Sequence, residues 1–258
     1  EMDKATAPYT FNNVDSETRR VVITPRGPDP ILFGIRGETP EAVLKAFSMV
    51  KPKEPVERWM IFRSNQGTDA HLTHVENLNK LLPYSSVIVK GEVSKDPRII
   101  PLRHVIFSIK DDSAEVDCVA FEPTGNLRKI ARELIIGDIV EVYGAVQKAK
   151  ANKTLAINLE KIIILNLAQK TRPENPICIN CGKHLKSMGK IQGFRCEKCG
   201  SKYPKLKKKD TISPRTLKTG LYLTSTRSQR HLTKPLSRYG QEKTDSSSYC
   251  LIDEWHSP

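Results

Sequence analysis

An α+β multidomain protein is the fold class this sequence predicts, and three observations predict it. Five apolar, β-branched runs follow one another between Ser86 and Leu167, interrupted by a single helical segment. Two Cys-x-x-Cys pairs come next. Basic residues then crowd together: between Ser201 and Lys243 there are 12 Lys and Arg against two acids, so this stretch holds +10 of the formal +13. At 258 residues the chain exceeds what one small core needs, and the shifts in composition divide it into modules.

The first module, 1–75, reads as the C-terminal part of a ferredoxin-like unit. Arg20 to Thr24 and Ile31 to Ile35 are short strand-like runs around a Pro-rich turn, which predicts a hairpin. Thr39-Pro40-Glu41 then starts a helix with a hydroxyl cap, a first-turn proline and an acid at the positive dipole end. Val43, Leu44, Phe47 and Val50 share one face of it. Arg58 to Arg63 is a further predicted strand. Strand, strand, helix, strand matches the last four elements of a βαββαβ unit. The segment Met2 to Glu17 is too short and polar for the opening strand and helix, which are expected outside this chain or from another segment.

Two loops carry more polar chemistry than a connector needs: Arg26 to Gly37, with Asp29 and Arg36, and Arg63 to Asp69, with Asn65, Gln66 and Thr68. Glycines admit a close ligand, arginines offer forked donors to phosphate, and carboxylates suit a metal or an amine. Ordinary turns use the same residue types, and neither loop has Walker spacing. His71 to Leu82 has helical apolar spacing and predicts a linker helix, with His71 and His74 on its surface.

Over 84–168 the runs Val87 to Val93, His104 to Ile109, Glu115 to Phe121, Ile139 to Val146 and Leu155 to Leu165 surround a helix at Leu127 to Ile135. Three strands, a helix and two strands is the order of an OB-fold β-barrel. Phe107, Phe121 and Tyr143 are its few strand aromatics, so contacts to an RNA backbone are expected rather than a row of stacked bases. The cations placed for that are Arg98, Arg103, Lys148, Lys150 and Lys153. Cys118, inside the third run, is expected to be a small buried side chain.

Cys178, Cys181, Cys196 and Cys199 are spaced to close a four-sulfur site over 173–209, a zinc ribbon, with an iron centre or a redox dithiol as alternatives. Such a site is structural, because it leaves no position open for substrate. Lys202, Lys207 and Lys208 form a basic run beyond it. In 210–243, Arg230, Lys234 and Arg238 alternate with Leu and Tyr, which predicts a basic docking segment. The Ser-rich end, 244–258, reads as a disordered tail with Cys250 a free thiol.

This charge distribution suits a polyanion. No apolar run is long enough to span a bilayer, and paired cysteines without a signal peptide suit a reducing, cytoplasmic setting. Three long stretches also resemble a known family. They are Gly27-Pro28-Asp29-Pro30-Ile31-Leu32-Phe33-Gly34-Ile35-Arg36-Gly37-Glu38, then Glu57-Arg58-Trp59 with Ile61 through Leu72, and Arg230-His231-Leu232-Thr233-Lys234-Pro235-Leu236 with Arg238-Tyr239-Gly240. From about Tyr9 to Lys243 the chain is similar to the archaeal tRNA(Ile) 2-agmatinylcytidine synthetases, the agmatidine synthetases.

That resemblance implies an enzyme that uses ATP and magnesium to activate the 2-oxo group of a wobble cytidine and couples agmatine there. It implies tRNA gripped by the barrel and ribbon, with Asp29, Arg36, Arg63, Asn65, Gln66, Thr68 and Asp69 facing an active site shared with a kinase-like N-terminal half. That half has no counterpart here, so this chain alone is expected to be incomplete as an enzyme. Two other readings stand beside it: a non-catalytic OB-fold and zinc-ribbon protein binding single-stranded DNA or RNA, and a structural subunit of an RNA-processing assembly.

Overall fold

The computed structural model describes residues 1–15, 18–25, 27–148, 154–189, 192–240, 253 and 255–257. The chain forms two compact units, one of residues Glu1–Asn166 with Thr219–Pro258 and one of Leu167–Lys218. Among the described residues no helix is long and apolar enough to cross a membrane.

The first unit opens with α1 (Met2–Thr6) and four two-residue strands: β1 (Thr10–Phe11), β2 (Val14–Asp15), β3 (Arg20–Val21) and β4 (Arg36–Gly37). β1 pairs with β4, and β2 with β3, all antiparallel. The hairpin expected between Arg20–Thr24 and Ile31–Ile35 does not form; Gly34 N–H donates to Ile23 O, and β3 takes β2 instead. Pro25, Pro28 and Pro30 supply no N–H there, so a ladder has too few donors.

Helix α2 (Pro40–Met49) stands where its cap placed it, with Thr39 Oγ1 accepting from Ala42 N–H at 3.2 Å. On its apolar face Phe47 lies 5.9 Å from Phe33 and 5.8 Å from Trp59, measured between ring centres. The strand expected over Arg58 to Arg63 reduces to one bridge, Met60 with His256. Only the helix of the expected strand, strand, helix, strand order is therefore reproduced as drawn. The tail expected to be disordered ends in that bridge, with Ile61 N–H donating to Trp255 O at 2.7 Å and Ser257 N–H to Trp59 O at 3.0 Å. Cys250 lies outside the described residues.

The expected linker helix over His71 to Leu82 is absent. In its place β5 (Thr73–His74) pairs parallel with the edge of the main sheet, and a 3₁₀ turn covers Leu78–Lys80. Tertiary pairing overrides helical spacing here: the open strand edge takes Thr73, and Asp111 Oδ2 accepts from Leu78 N–H at 2.7 Å.

The main strands are β6 (Ser86–Ile100), β7 (His104–Lys110), β8 (Glu115–Ala120), β9 (Ile139–Lys148) and β10 (Leu155–Asn166), with α3 (Asn126–Glu133) between β8 and β9. β6 pairs with β7 and β9, β7 with β8, and β10 with both β8 and β9, so each of the five has two partners within the set. β6 runs past the expected Val93 because register shifts beside Lys95 accommodate Pro97. Alternate residues fill the interior, among them Val87, Val89, Phe107, Cys118, Val142 and Ile157, and Leu127 and Ala131 of α3 close over them. Burying this apolar set is the main term holding the unit together, at roughly 1.5–3 kcal/mol per large side chain. A Cβ on Gly144 would lie 2.1 Å from Asn158 O, so only glycine permits the close approach of β9 to β10.

In the second unit β11 (Thr171–Glu174) pairs with β15 (Lys209–Ile212) and brackets β12 (Lys186–Ser187), β13 (Phe194–Arg195) and β14 (Lys202–Tyr203). The expected basic docking segment is therefore divided. Residues up to Lys218 belong to this unit, while β16 (Gly220–Leu223) adds antiparallel to β10 in the first.

Candidate functional site

The loop 63–71 is held against β10 by the C-terminal segment. Gly67 N–H donates to His231 O and Asp69 N–H to Leu232 O, both at 2.8 Å, an extended pairing of two irregular strands. Asp69 Oδ1 accepts from Lys234 N–H at 2.7 Å, while Oδ2 takes the Lys161 ammonium. The Lys161 side chain has no exposure, and its Nζ also reaches the Tyr239 hydroxyl at 3.1 Å. Burial pushes the Lys161 ammonium down from its ordinary value, and the Asp69 carboxylate opposes that shift.

One residue earlier on β10, Glu160 Oε2 meets His71 Nε2 at 2.9 Å and Oε1 lies 3.2 Å from the Arg230 guanidinium. A register shift between Leu159 and Lys161 is what lets two consecutive strand residues face the same loop. Sequence reasoning missed both, although Glu160-Lys161 inside an otherwise apolar strand was a visible signal of buried charge with partners. His71, expected at the surface, is a buried partner of Glu160; His74 is exposed.

Arg238 forks onto Glu38 with Nε and Nη2, the second at 2.7 Å, and gives Nη1 to Gly67 O at 2.6 Å. It also lies 4.8 Å from the centre of the Phe11 ring. Gly67 has φ +66°, and a Cβ there would stand 3.0 Å from Phe11, so the turn is compressed between Phe11 and Pro235.

The predicted site residues separate into two groups. Arg36, Gln66 and Asp69 come together with His231, since Arg36 Nε donates to Gln66 Oε1 and Nη2 lies 3.1 Å from His231 Nδ1. Arg63, Asn65 and Thr68 are exposed on the same loop, Thr68 Oγ1 donating to Asn65 O at 2.6 Å. Asp29 lies in an exposed turn whose N–H donates to Gly27 O, and among the described residues it shares no hydrogen bond with that loop. Arg26 falls outside the described residues.

Of the residues expected to meet tRNA, Arg98, Arg103 and Lys148 are exposed on or between the sheet strands, Arg98 3.8 Å from Asp117. Lys150 and Lys153 fall outside the described residues. Lys202, Lys207 and Lys208 are exposed on the second unit. Arg230, Lys234 and Arg238 are instead engaged within the chain. Arg238 is committed to Glu38 and the loop carbonyls, and the Lys234 ammonium sits 4.2 Å from the Tyr239 ring centre.

In the second unit Cys178, Cys181, Cys196 and Cys199 bring four sulfurs within 4.8 Å of one another. The two halves repeat each other. Gly182 N–H donates to Cys178 O and Gly200 N–H to Cys196 O, at 2.9 and 3.0 Å, with φ +70° and +74° at the glycines. Sulfur separations of 3.5 Å for Cys178 with Cys199 and 3.3 Å for Cys181 with Cys196 approach the roughly 3.8 Å of a tetrahedral site with 2.3 Å Zn–S bonds. The donor set fits zinc, which would be structural. Cys118, by contrast, is fully buried in β8, and burial pushes its thiol up.

Comparisons with known proteins agree with both units. Residues 87–165 match the model of the OB-fold nucleic acid binding domain, residues 175–217 that of the TiaS C-terminal zinc ribbon domain, and residues 1–71 that of the TiaS FLD domain. These matches define a protein that joins a nucleic-acid-binding OB-fold to a zinc ribbon. The tRNA(Ile) 2-agmatinylcytidine synthetase TiaS of Methanosarcina mazei is 46% identical over 95% of this chain and 55% of its own length. That of Methanocaldococcus jannaschii is 44% identical over 92% and 54%. A TiaS structure with tRNA and ATP superposes with a TM-score of 0.79 at 42% identity, covering 92% of this chain and 54% of that one. Another, with tRNA, AMPCPP and agmatine, gives 0.77 at 40% identity, with 92% and 53% covered. The chain belongs to the tRNA(Ile) 2-agmatinylcytidine synthetase family. It spans about 55% of the length of the curated relatives it matches.

Proposed function

We propose that this chain supplies tRNA binding and part of the active site to an ATP-dependent ligase that couples agmatine to the wobble cytidine of isoleucine tRNA with a CAU anticodon, giving 2-agmatinylcytidine. The observation that carries this reading is the 42% identity and TM-score of 0.79 to a TiaS solved with tRNA and ATP. The rival reading as a stand-alone single-strand binder leaves the match over residues 1–71 unexplained.

In this reading Arg36, Arg63, Asn65, Gln66, Thr68 and Asp29 face an active site shared with a kinase-like N-terminal half. The arginines neutralise phosphate charge as ATP, with magnesium, activates the 2-oxo oxygen, and the agmatine amine then displaces that oxygen. Asp69 contributes by position, because its carboxylate ties the loop to Lys161 and Lys234. Arg98, Arg103, Lys148, Lys150 and Lys153 on the OB-fold, with Lys202, Lys207 and Lys208 on the ribbon, meet tRNA phosphates. The setting is the cytoplasm, where tRNA, ATP and agmatine meet.

The test supplies a kinase-like half in trans and follows labelled agmatine into tRNA. Incorporation by the pair, none by this chain alone, and a preference for folded tRNA over oligo-dT at fixed salt are expected. Full turnover by these 258 residues alone, or a preference for oligo-dT, would overturn the reading.

A further inference from the structure

Arg36 is a half-buried cation without a carboxylate partner among the described residues. Its hydrogen bonds go to two neutral groups, the Gln66 side-chain oxygen and His231 Nδ1. Glu38, two residues on, is already held by both donors on one edge of Arg238. A guanidinium stays charged at neutral pH, so withdrawing it from water without a counter-ion carries a cost. Burial indeed pushes Arg36 down from its ordinary value, and nothing nearby pulls it back.

The geometry of those two bonds decides what remains. Nε and Nη2 form one edge of the guanidinium, and Gln66 and His231 occupy that edge side by side. Nη1, with the outer N–H of Nη2, forms the other edge and carries no partner among the described residues. Two parallel donors at that spacing match two oxygens of one phosphate group. His231 must accept at Nδ1, since guanidinium only donates, so its proton sits on Nε2 and offers a further donor at the exposed rim.

Gln66 and His231 are themselves held in place. The backbone of Gly67 donates to His231 O at 2.8 Å, and Arg238 reaches Gln66 O at 3.3 Å. The fork is thus aimed before any ligand arrives, which lowers the ordering cost of binding.

We propose that Arg36, held on edge by Gln66 and His231, is a phosphate-oxyanion subsite. Its ligand is a phosphate group, either of a bound nucleotide or of the RNA backbone. The proposal deepens the reading above and rests on it for the source of the phosphate.

The experiment compares the chain with its Arg36→Lys and Gln66→Ala variants. Lys keeps the charge and loses the fork; Ala keeps the guanidinium and frees it to rotate. Inorganic pyrophosphate binding is measured by calorimetry, and tRNA affinity over a range of KCl concentrations. If a nucleotide phosphate fills the site, Arg36→Lys weakens pyrophosphate about tenfold and leaves the tRNA salt slope unchanged, with Gln66→Ala falling between. If an RNA phosphate fills it, pyrophosphate is unaffected, tRNA affinity drops about tenfold and the salt slope falls by about one. The proposal is overturned if Arg36→Lys, melting at the wild-type temperature, changes neither. Should that variant not fold, Gln66→Ala without effect on either ligand overturns it. A chain that binds pyrophosphate through Arg36 yet prefers oligo-dT to tRNA would sink the functional reading and leave the subsite standing.

Discussion

The five-stranded sheet and the N-terminal region share one compact unit but are held by different forces. In the sheet, strands of 6 to 15 residues pair through backbone ladders, and alternate side chains fill an apolar interior. In 1–75 the strands are two residues long, and the order comes from side chains gripping backbone: Asp69 on Lys234, Arg238 on Gly67, Thr39 on Ala42. The sheet can lose one contact and keep its ladder. A loop that depends on one carboxylate cannot. This difference suits the proposed roles, with a rigid body carrying a loop whose polar side chains stay available.

The ribbon tests that contrast most severely, because its two-residue strands have neither a ladder nor a large core. Phe194, Leu185 and two of the cysteines are its buried cluster. Removing metal with a chelator, or introducing Cys196→Ser, is expected to unfold 167–218, since structural zinc supplies on the order of 10 kcal/mol. Hydrogen exchange should rise to the unfolded rate across β12, β13 and β14 while β6 to β10 keep their protection. Retained protection in the ribbon after metal removal would mean that its own packing suffices.

The Asp69–Lys161 pair comes next in size. Asp69→Ala leaves a buried ammonium without its anion and frees the loop, so a loss of about 3–5 kcal/mol in denaturant stability is expected. Lys161→Met removes the charge and keeps the volume, and should cost less; the double variant should recover part of the Asp69→Ala loss. Additive losses would show that the pair is not coupled and that the loop is held by the backbone bonds to 231 and 232.

What could be read in advance follows the same division. Five strands and a helix were legible because period-2 burial repeats over many residues, and the four cysteines because metal geometry demands their spacing. The cap at Thr39 was legible for a local reason too. The hairpin at Arg20 to Ile35, the strand at Arg58 to Arg63 and the helix at His71 to Leu82 were misjudged because their partners lie far away in sequence, at Asn13, His256 and Ile88. The same distance hid Lys161, Glu160 and Glu38. Arg36, Gln66 and Asp69 were singled out correctly as unusual, but their neighbours from 231–239 could not be inferred from local pattern.

The smallest expected effect lies where the two regions meet, at Asp111 in the turn between β7 and β8. Burial alone would raise its carboxyl, but N–H donors from Leu78, Ser113 and Ala114 and the Ser113 hydroxyl outweigh that and hold it at about 2. A folded value below the unfolded one, about 3.9, means that the charged form stabilises the fold. That contribution, about 1 kcal/mol after allowing for solvent, is present above pH 4 and lost as pH falls through 2. Asp111→Asn keeps one acceptor for Ser113 and Ala114 but turns an amide N–H₂ towards the Leu78 N–H. Its stability deficit in urea should be full at pH 6 and shrink towards pH 2. A deficit that stays constant across that range would mean that the turn is held by shape, and that the carboxylate does not staple residue 78 to the sheet.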